Sequence, residues 1–85
     1  MTGHEDRAAA IRYWEELPAP IVVASGRGRL AEAIVRAARE SGVTLVSDPG
    51  LVDALIPLEI NSFIPESLYE VIAALLVFVR GLKAE

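Results

Sequence analysis

The sequence predicts a small α/β domain, a mixed sheet of three or four strands flanked by three helices and built on a βαβ core. Two observations predict it. Residues 20–48, PIVVASGRGRLAEAIVRAARESGVTLVSD, read as strand, glycine turn, amphipathic helix, glycine stop and second strand. At 85 residues the chain has room for one core, burying about 60–65% of its unfolded surface. It contains no cysteine, so neither a disulfide framework nor a thiolate metal site can hold it together.

Residues 1–7 are polar and read as a flexible tail, leaving 8–83 as a single domain. Residues 8–14 read as helix by their alanines or as strand by their alternation. The alternation is favoured, with Ala9, Ile11 and Tyr13 on one face and Arg12 and Trp14 on the other. Pro18 and Pro20 forbid regular structure around them, so 15–20 is a turn that returns the chain antiparallel. Ile21-Val22-Val23-Ala24 is a short apolar strand, and Gly26 and Gly28 turn it into a helix. Leu30, Ala31, Ile34, Val35 and Ala38 fall at helical spacing, with Arg29, Glu32, Arg36, Arg39 and Glu40 on the other side. Gly42 is placed for a left-handed C-cap, and Val43-Thr44-Leu45-Val46 reads as a parallel strand reached by a right-handed crossover.

Asp48 is placed as N-cap and Pro49 as first residue of a short second helix ending at Ile56-Pro57. Residues 58–61 read as a short edge strand. Pro65 opens a last helix over 65–82, with Glu66 favouring its N-terminus. From Leu68 to Val79 its only charge is Glu70. Leu68, Ile72, Leu75, Leu76 and Val79 can face the sheet while Val71, Ala74 and Phe78 point elsewhere. An exposed apolar strip follows, unless the N-terminal segment screens it.

Several function classes fall away. The single histidine, His4, lies in the tail, so a histidine metal site or catalytic triad is not expected, nor is any cofactor. A net charge of -4 argues against nucleic-acid binding. Arg27, Arg29, Arg36 and Arg39 read as a solvated helix face, with an anionic partner as the alternative. The pairs Glu5-Asp6 and Glu15-Glu16 are solvated surface. No signal peptide is visible, and the run from Val71 to Val79 is shorter than the ~20 residues of a membrane span. The expectation is a soluble, cytoplasmic, non-enzymatic domain. One motif competes: Gly26-Arg27-Gly28-Arg29-Leu30-Ala31 matches G-x-G-x-x-[GA], and Asp48 lies near the spacing of a ribose-binding acid. A nucleotide- or phosphate-binding module using Gly26, Arg27, Gly28 and Arg29 is therefore the rival reading. Against it stand the N-cap reading of Asp48 and a chain too short for a second nucleotide-binding half.

A set of phrases in fixed order adds a resemblance. They are Ala10-Ile11-Arg12-Tyr13, Ala19-Pro20-Ile21-Val22-Val23-Ala24-Ser25-Gly26, Leu30-Ala31, Ile34, Gly42-Val43, Asp48-Pro49, Leu51, Ala54-Leu55, Glu59-Ile60, Ile64-Pro65-Glu66 and Leu68-Tyr69 before a long apolar helix. The chain resembles, over about residues 8–83, the cytoplasmic C-terminal domain of the flagellar and type III export-switch family (FlhB/YscU/SpaS-like). That resemblance implies a small sheet surrounded by helices, tethered in the family to a membrane domain, with an Asn-Pro-Thr-His loop that cleaves its own backbone. In register the loop falls on Gly3-His4-Glu5-Asp6, so the self-cleaving residues are absent. Ser25 stands where the family has lysine, Asp53 where it has arginine and Ala74 where it has a polar residue. The implied description is a stand-alone paralogue that does not cleave itself. It would act by protein–protein contact at the inner-membrane export apparatus, with export substrates, a length-control protein or apparatus components as partners. Ala19, Pro20, Ala73 and Leu76 match a proposed apolar docking patch; plain core packing is the alternative for all four. A third reading buries the last helix against a second copy of the chain.

Overall fold

The computed structural model describes residues 7–83. Strand β1 (Arg7–Arg12) pairs antiparallel with β2 (Ile21–Arg27), with an irregularity between Ala10 and Ile11. Helices α1 (Arg29–Glu40), α2 (Pro49–Leu55) and α3 (Tyr69–Lys83) complete the order, and a 3-10 turn, Glu66–Leu68, leads into α3. The strand reading of 8–14 holds for most of its length. Ala9 and Ile11 pack toward the core, as the alternation requires. Arg12 lies over the ring of Trp14 at 5.5 Å, so these two do share the other face.

The sheet is smaller than expected. Among the described residues its order is β1-β2, two strands rather than three or four. Val43-Thr44-Leu45-Val46 runs without helix or ladder, and Val43, Leu45 and Val46 are exposed, so the parallel strand of the βαβ core is not formed among the described residues. Apolar β-branched residues make a strand only where a neighbouring edge supplies hydrogen bonds, and none of the described segments supplies one here. The edge strand expected over 58–61 is also displaced. Asn61 takes a left-handed φ of 71°, and the Ser62 hydroxyl donates to the Glu59 carbonyl at 2.6 Å, so this piece is a turn. The edge contact comes just afterwards. The amide of Val22 donates to Ser62, that of Asn61 to Val22 and that of Ile64 to Pro20, at 3.0, 2.6 and 2.8 Å, with a single bridge between Ile21 and Phe63.

Local signals in the sequence hold where the partner is close along the chain. At the end of α1, Gly42 has φ 75°; the Val43 amide donates to Ala38 at 2.9 Å and the Gly42 amide to Arg39 at 3.3 Å. This is the six-to-one and five-to-two pairing of a Schellman stop. Asp48 caps α2 by accepting from the Leu51 amide at 3.1 Å, with Pro49 in the first helical position. Arg7 and Asp53 form a two-point ion pair, Nε to Oδ1 at 2.5 Å and Nη2 to Oδ2 at 3.4 Å, joining the start of β1 to α2. The acid at position 53 thus has a local task. Because Asp53 is more than half exposed, the pair contributes at most ~1 kcal/mol.

The core lies on the face of the sheet opposite α1. Val22, Leu55, Ile64 and Ile72 have almost no exposed surface, with Ala9, Ile11, Leu51, Leu58, Leu68 and Leu76 packed around them. On the other face Ala31 of α1 is buried. Gly28 carries φ 61° and ψ -128° at the join of β2 and α1, a conformation closed to residues with a Cβ. Gly28→Ala is therefore expected to lower the unfolding free energy by about 1–2 kcal/mol in urea titrations. Gly50 meets only ordinary contact where a Cβ would sit. Gly50→Ala, in α2, should raise stability by roughly 0.4–1 kcal/mol.

Candidate functional site

Two places compete as the site. The glycine turn was the first. Gly26 and Arg27 belong to β2 itself, and α1 begins only at Arg29, with Gly28 between them. A Cβ on Gly26 would collide with the Leu30 side chain. The space that a dinucleotide fold leaves for a pyrophosphate beside its glycine is here filled by leucine. Asp48, the candidate ribose acid, spends its carboxylate on the α2 amide. With no parallel strand after α1, the crevice at strand ends where nucleotides sit is not built either. Arg27, Arg29, Arg36 and Arg39 are all exposed, and none makes an ion pair among the described residues. The geometry makes the turn a scaffold element.

The second place is an apolar groove of about 290 Å³ between the connection that follows β1 and the flank of α3. Tyr13, Pro18 and Pro20 line one side, and Tyr69, Ile72, Ala73, Leu76 and Val77 line the other. Residues 69, 72, 73, 76 and 77 form a single stripe on a helix of 3.6 residues per turn. Ile72 sits at the groove floor with 1% exposure, while Val77 on its rim is 71% exposed. The opposite wall is held by two hydrogen bonds: the Leu17 amide donates to Trp14 at 2.9 Å, and the Pro20 carbonyl accepts from Ile64. Pro18 and Pro20 fix φ and offer no amide donor, so this wall is stiff and apolar.

Of the sequence-derived docking residues, Pro20, Ala73 and Leu76 come together on this groove. Ala19 does not line it and is buried at 4% exposure. Tyr13, Pro18, Tyr69 and Val77 were not singled out in the sequence. Tyr69 and Val77 sit one turn to either side of Ala73 on its own face, which was the available signal. The segment 3–6 aligned with the self-cleaving loop lies outside the described residues. Among the described residues no group of three or more His, Asp or Glu side chains is placed to hold a metal ion. No described helix is long and apolar enough to cross a membrane.

What these features define is a small mixed α/β domain with an open apolar groove along its last helix. Within that class the chain belongs to the FlhB HrpN YscU SpaS family, whose model matches residues 3–79. It is 36% identical over 77 residues to the uncharacterised protein YlqH of Bacillus subtilis (strain 168), covering 89% of this chain and 83% of YlqH. It is 35% identical over 86 residues to the flagellar biosynthetic protein FlhB of Helicobacter pylori (strain ATCC 700392 / 26695), covering 100% of this chain but 24% of that protein. The chain thus spans about a quarter of the FlhB relative. The crystal structure of the cytoplasmic domain of FlhB from Shewanella putrefaciens superposes with a TM-score of 0.85 at 32% identity, covering 91% of this chain and 64% of that one.

Groove wall and core should separate in stability measurements. Val77→Ser is expected to change the unfolding free energy by no more than ~0.5 kcal/mol. Ile72→Ala, at the floor, should cost about 2–5 kcal/mol. Comparable losses for both would mean that Val77 is covered in solution.

Proposed function

We propose that this chain is a non-catalytic protein-interaction domain of flagellar or type III protein export. It docks export substrates or a length-control partner in the groove lined by Pro20, Ala73 and Leu76, with Ala19 next to Pro20 in sequence. The observation that carries this reading is their convergence: three residues named from a family docking patch border one apolar groove, formed by segments far apart in sequence. Membership of the family supports the export setting. Likeness to a cytoplasmic domain supports a place on the cytoplasmic side of the export apparatus. A second reading shares the same surface. In it the chain stands in for the C-terminal fragment of a full-length switch protein, a reading supported by its likeness to the cytoplasmic domain of FlhB.

The non-enzymatic reading rests on the sequence. Its one asparagine is Asn61, followed by Ser62, so no Asn-Pro-Thr-His segment exists to attack its own carbonyl. After prolonged incubation the purified chain should run as one intact band on a denaturing gel; two fragments would overturn this.

Docking is tested by affinity capture from the source cell with wild type and Leu76→Asp, after circular dichroism has shown both to be folded. Wild type should retain export components and the variant should lose them. Equal retention by both, or none by either, removes the groove from the function. Sedimentation across a concentration range tests the rival in which α3 pairs with a second copy; a monomer throughout would exclude that rival.

A further inference from the structure

The groove is apolar, and exposed acidic residues stand next to both of its walls in sequence. Between Tyr13 and Pro18 on one wall lie Glu15 and Glu16, both exposed. At the start of the other wall lie Glu66 and Glu70, also exposed. Helical spacing puts Glu70 one turn before Ala73 and two before Val77, beside the groove stripe rather than behind it. None of the four carboxylates makes an ion pair among the described residues. The cations next to the groove residues in sequence are Arg12 and Arg80. Arg12, the nearest along β1, lies over Trp14, and strand alternation places that pair on the face away from Tyr13. Along α3 the next charge after Glu70 is Arg80, a turn past Val77, so the acidic end of the groove is its Tyr69 end. Two carboxylates there outweigh the roughly half positive charge of a helix N-terminus.

We infer that the groove selects a protein segment in which a large apolar side chain is flanked by lysine or arginine. This rests on the docking reading above and adds its chemistry. The apolar side chain fills the space between Pro20, Ala73 and Leu76, and the basic flank lies over Glu15, Glu16, Glu66 and Glu70. An apolar groove alone would accept any greasy segment; the acidic rim supplies the discrimination. It favours basic flanks and repels acidic ones, and it speeds encounter at low salt. Such rim contacts remain hydrated, so they set preference and salt dependence more than total affinity.

The test needs no known ligand. A phage-displayed library of random dodecapeptides is selected against the whole chain, and clones that also bind Leu76→Asp are discarded. The remaining clones should share an apolar anchor with Lys or Arg within a few positions. Synthetic peptides of the consensus should bind about tenfold more tightly than versions with Glu in place of the basic flank. That margin should shrink in 0.5 M salt. Glu15→Lys/Glu16→Lys, which changes only an exposed connection, should erase most of the preference, and Glu66→Lys/Glu70→Lys should do the same from the other wall. Leu76-dependent clones with no bias in flanking charge would overturn the inference and leave the docking reading standing. Failure to recover any Leu76-dependent clone would overturn both. Basic peptides that bind without an apolar anchor would show plain charge attraction and likewise overturn the inference.

Discussion

Ile72 meets Val22, Leu55 and Ile64 in a cluster with almost no solvent access, and the four side chains come from α3, β2, α2 and the segment before α3. A two-stranded sheet by itself is marginal in water. Here it persists because its faces are covered, one by α1 and the other by this cluster. Each such side chain contributes about 1.5–3 kcal/mol through its removal from water. The cluster also fixes the rotation of α3. With Ile72 turned inward, Tyr69, Ala73, Leu76 and Val77 must fall at the border of the sheet, where no further described strand covers them. The groove follows from the anchor.

The sequence was most legible where cause and effect are neighbours. The stop at Gly42 and the cap at Asp48 each depend on atoms a few residues away, so composition and spacing reveal them. Strands are different. Val43-Thr44-Leu45-Val46 has the residue types of a strand, but a strand is completed by its partner, and the described residues give this one none. Residues 58–61 failed for a related reason. The left-handed turn at Asn61 delays the extended conformation until the chain reaches Ser62–Ile64, where the edge of β2 receives it. For the groove, resemblance named Pro20, Ala73 and Leu76, while Tyr13 and Pro18 became visible only when the connection was folded back against α3. Contacts between distant segments leave no local pattern to read.

The composition of the groove walls bears on binding economy. Pro18 and Pro20 are already restrained, and the Pro20 carbonyl is fixed by Ile64, so a partner docking as proposed would order little backbone. Ala73 carries only a methyl group, which leaves depth between its longer neighbours. Tyr13 and Tyr69 supply wide apolar faces with few rotatable bonds, a combination suited to recognition. The glycines serve an unrelated need. Gly28 provides a backbone angle and Gly26 makes room for Leu30, so each of these glycines has a structural task in the turn.

The two ends of β1 meet different parts of the molecule. The segment aligned with the self-cleaving loop immediately precedes Arg7, which opens β1 and is tied to Asp53 of α2. The groove begins at Tyr13, just past the other end of the strand. At ~3.4 Å per residue the two ends of β1 are about 17 Å apart. The Arg7 end is tied to Asp53 of α2, while the connection that follows the other end faces α3 across the groove. Among the described residues the groove takes its shape from Ile72 at its floor and from the two prolines of the opposite wall.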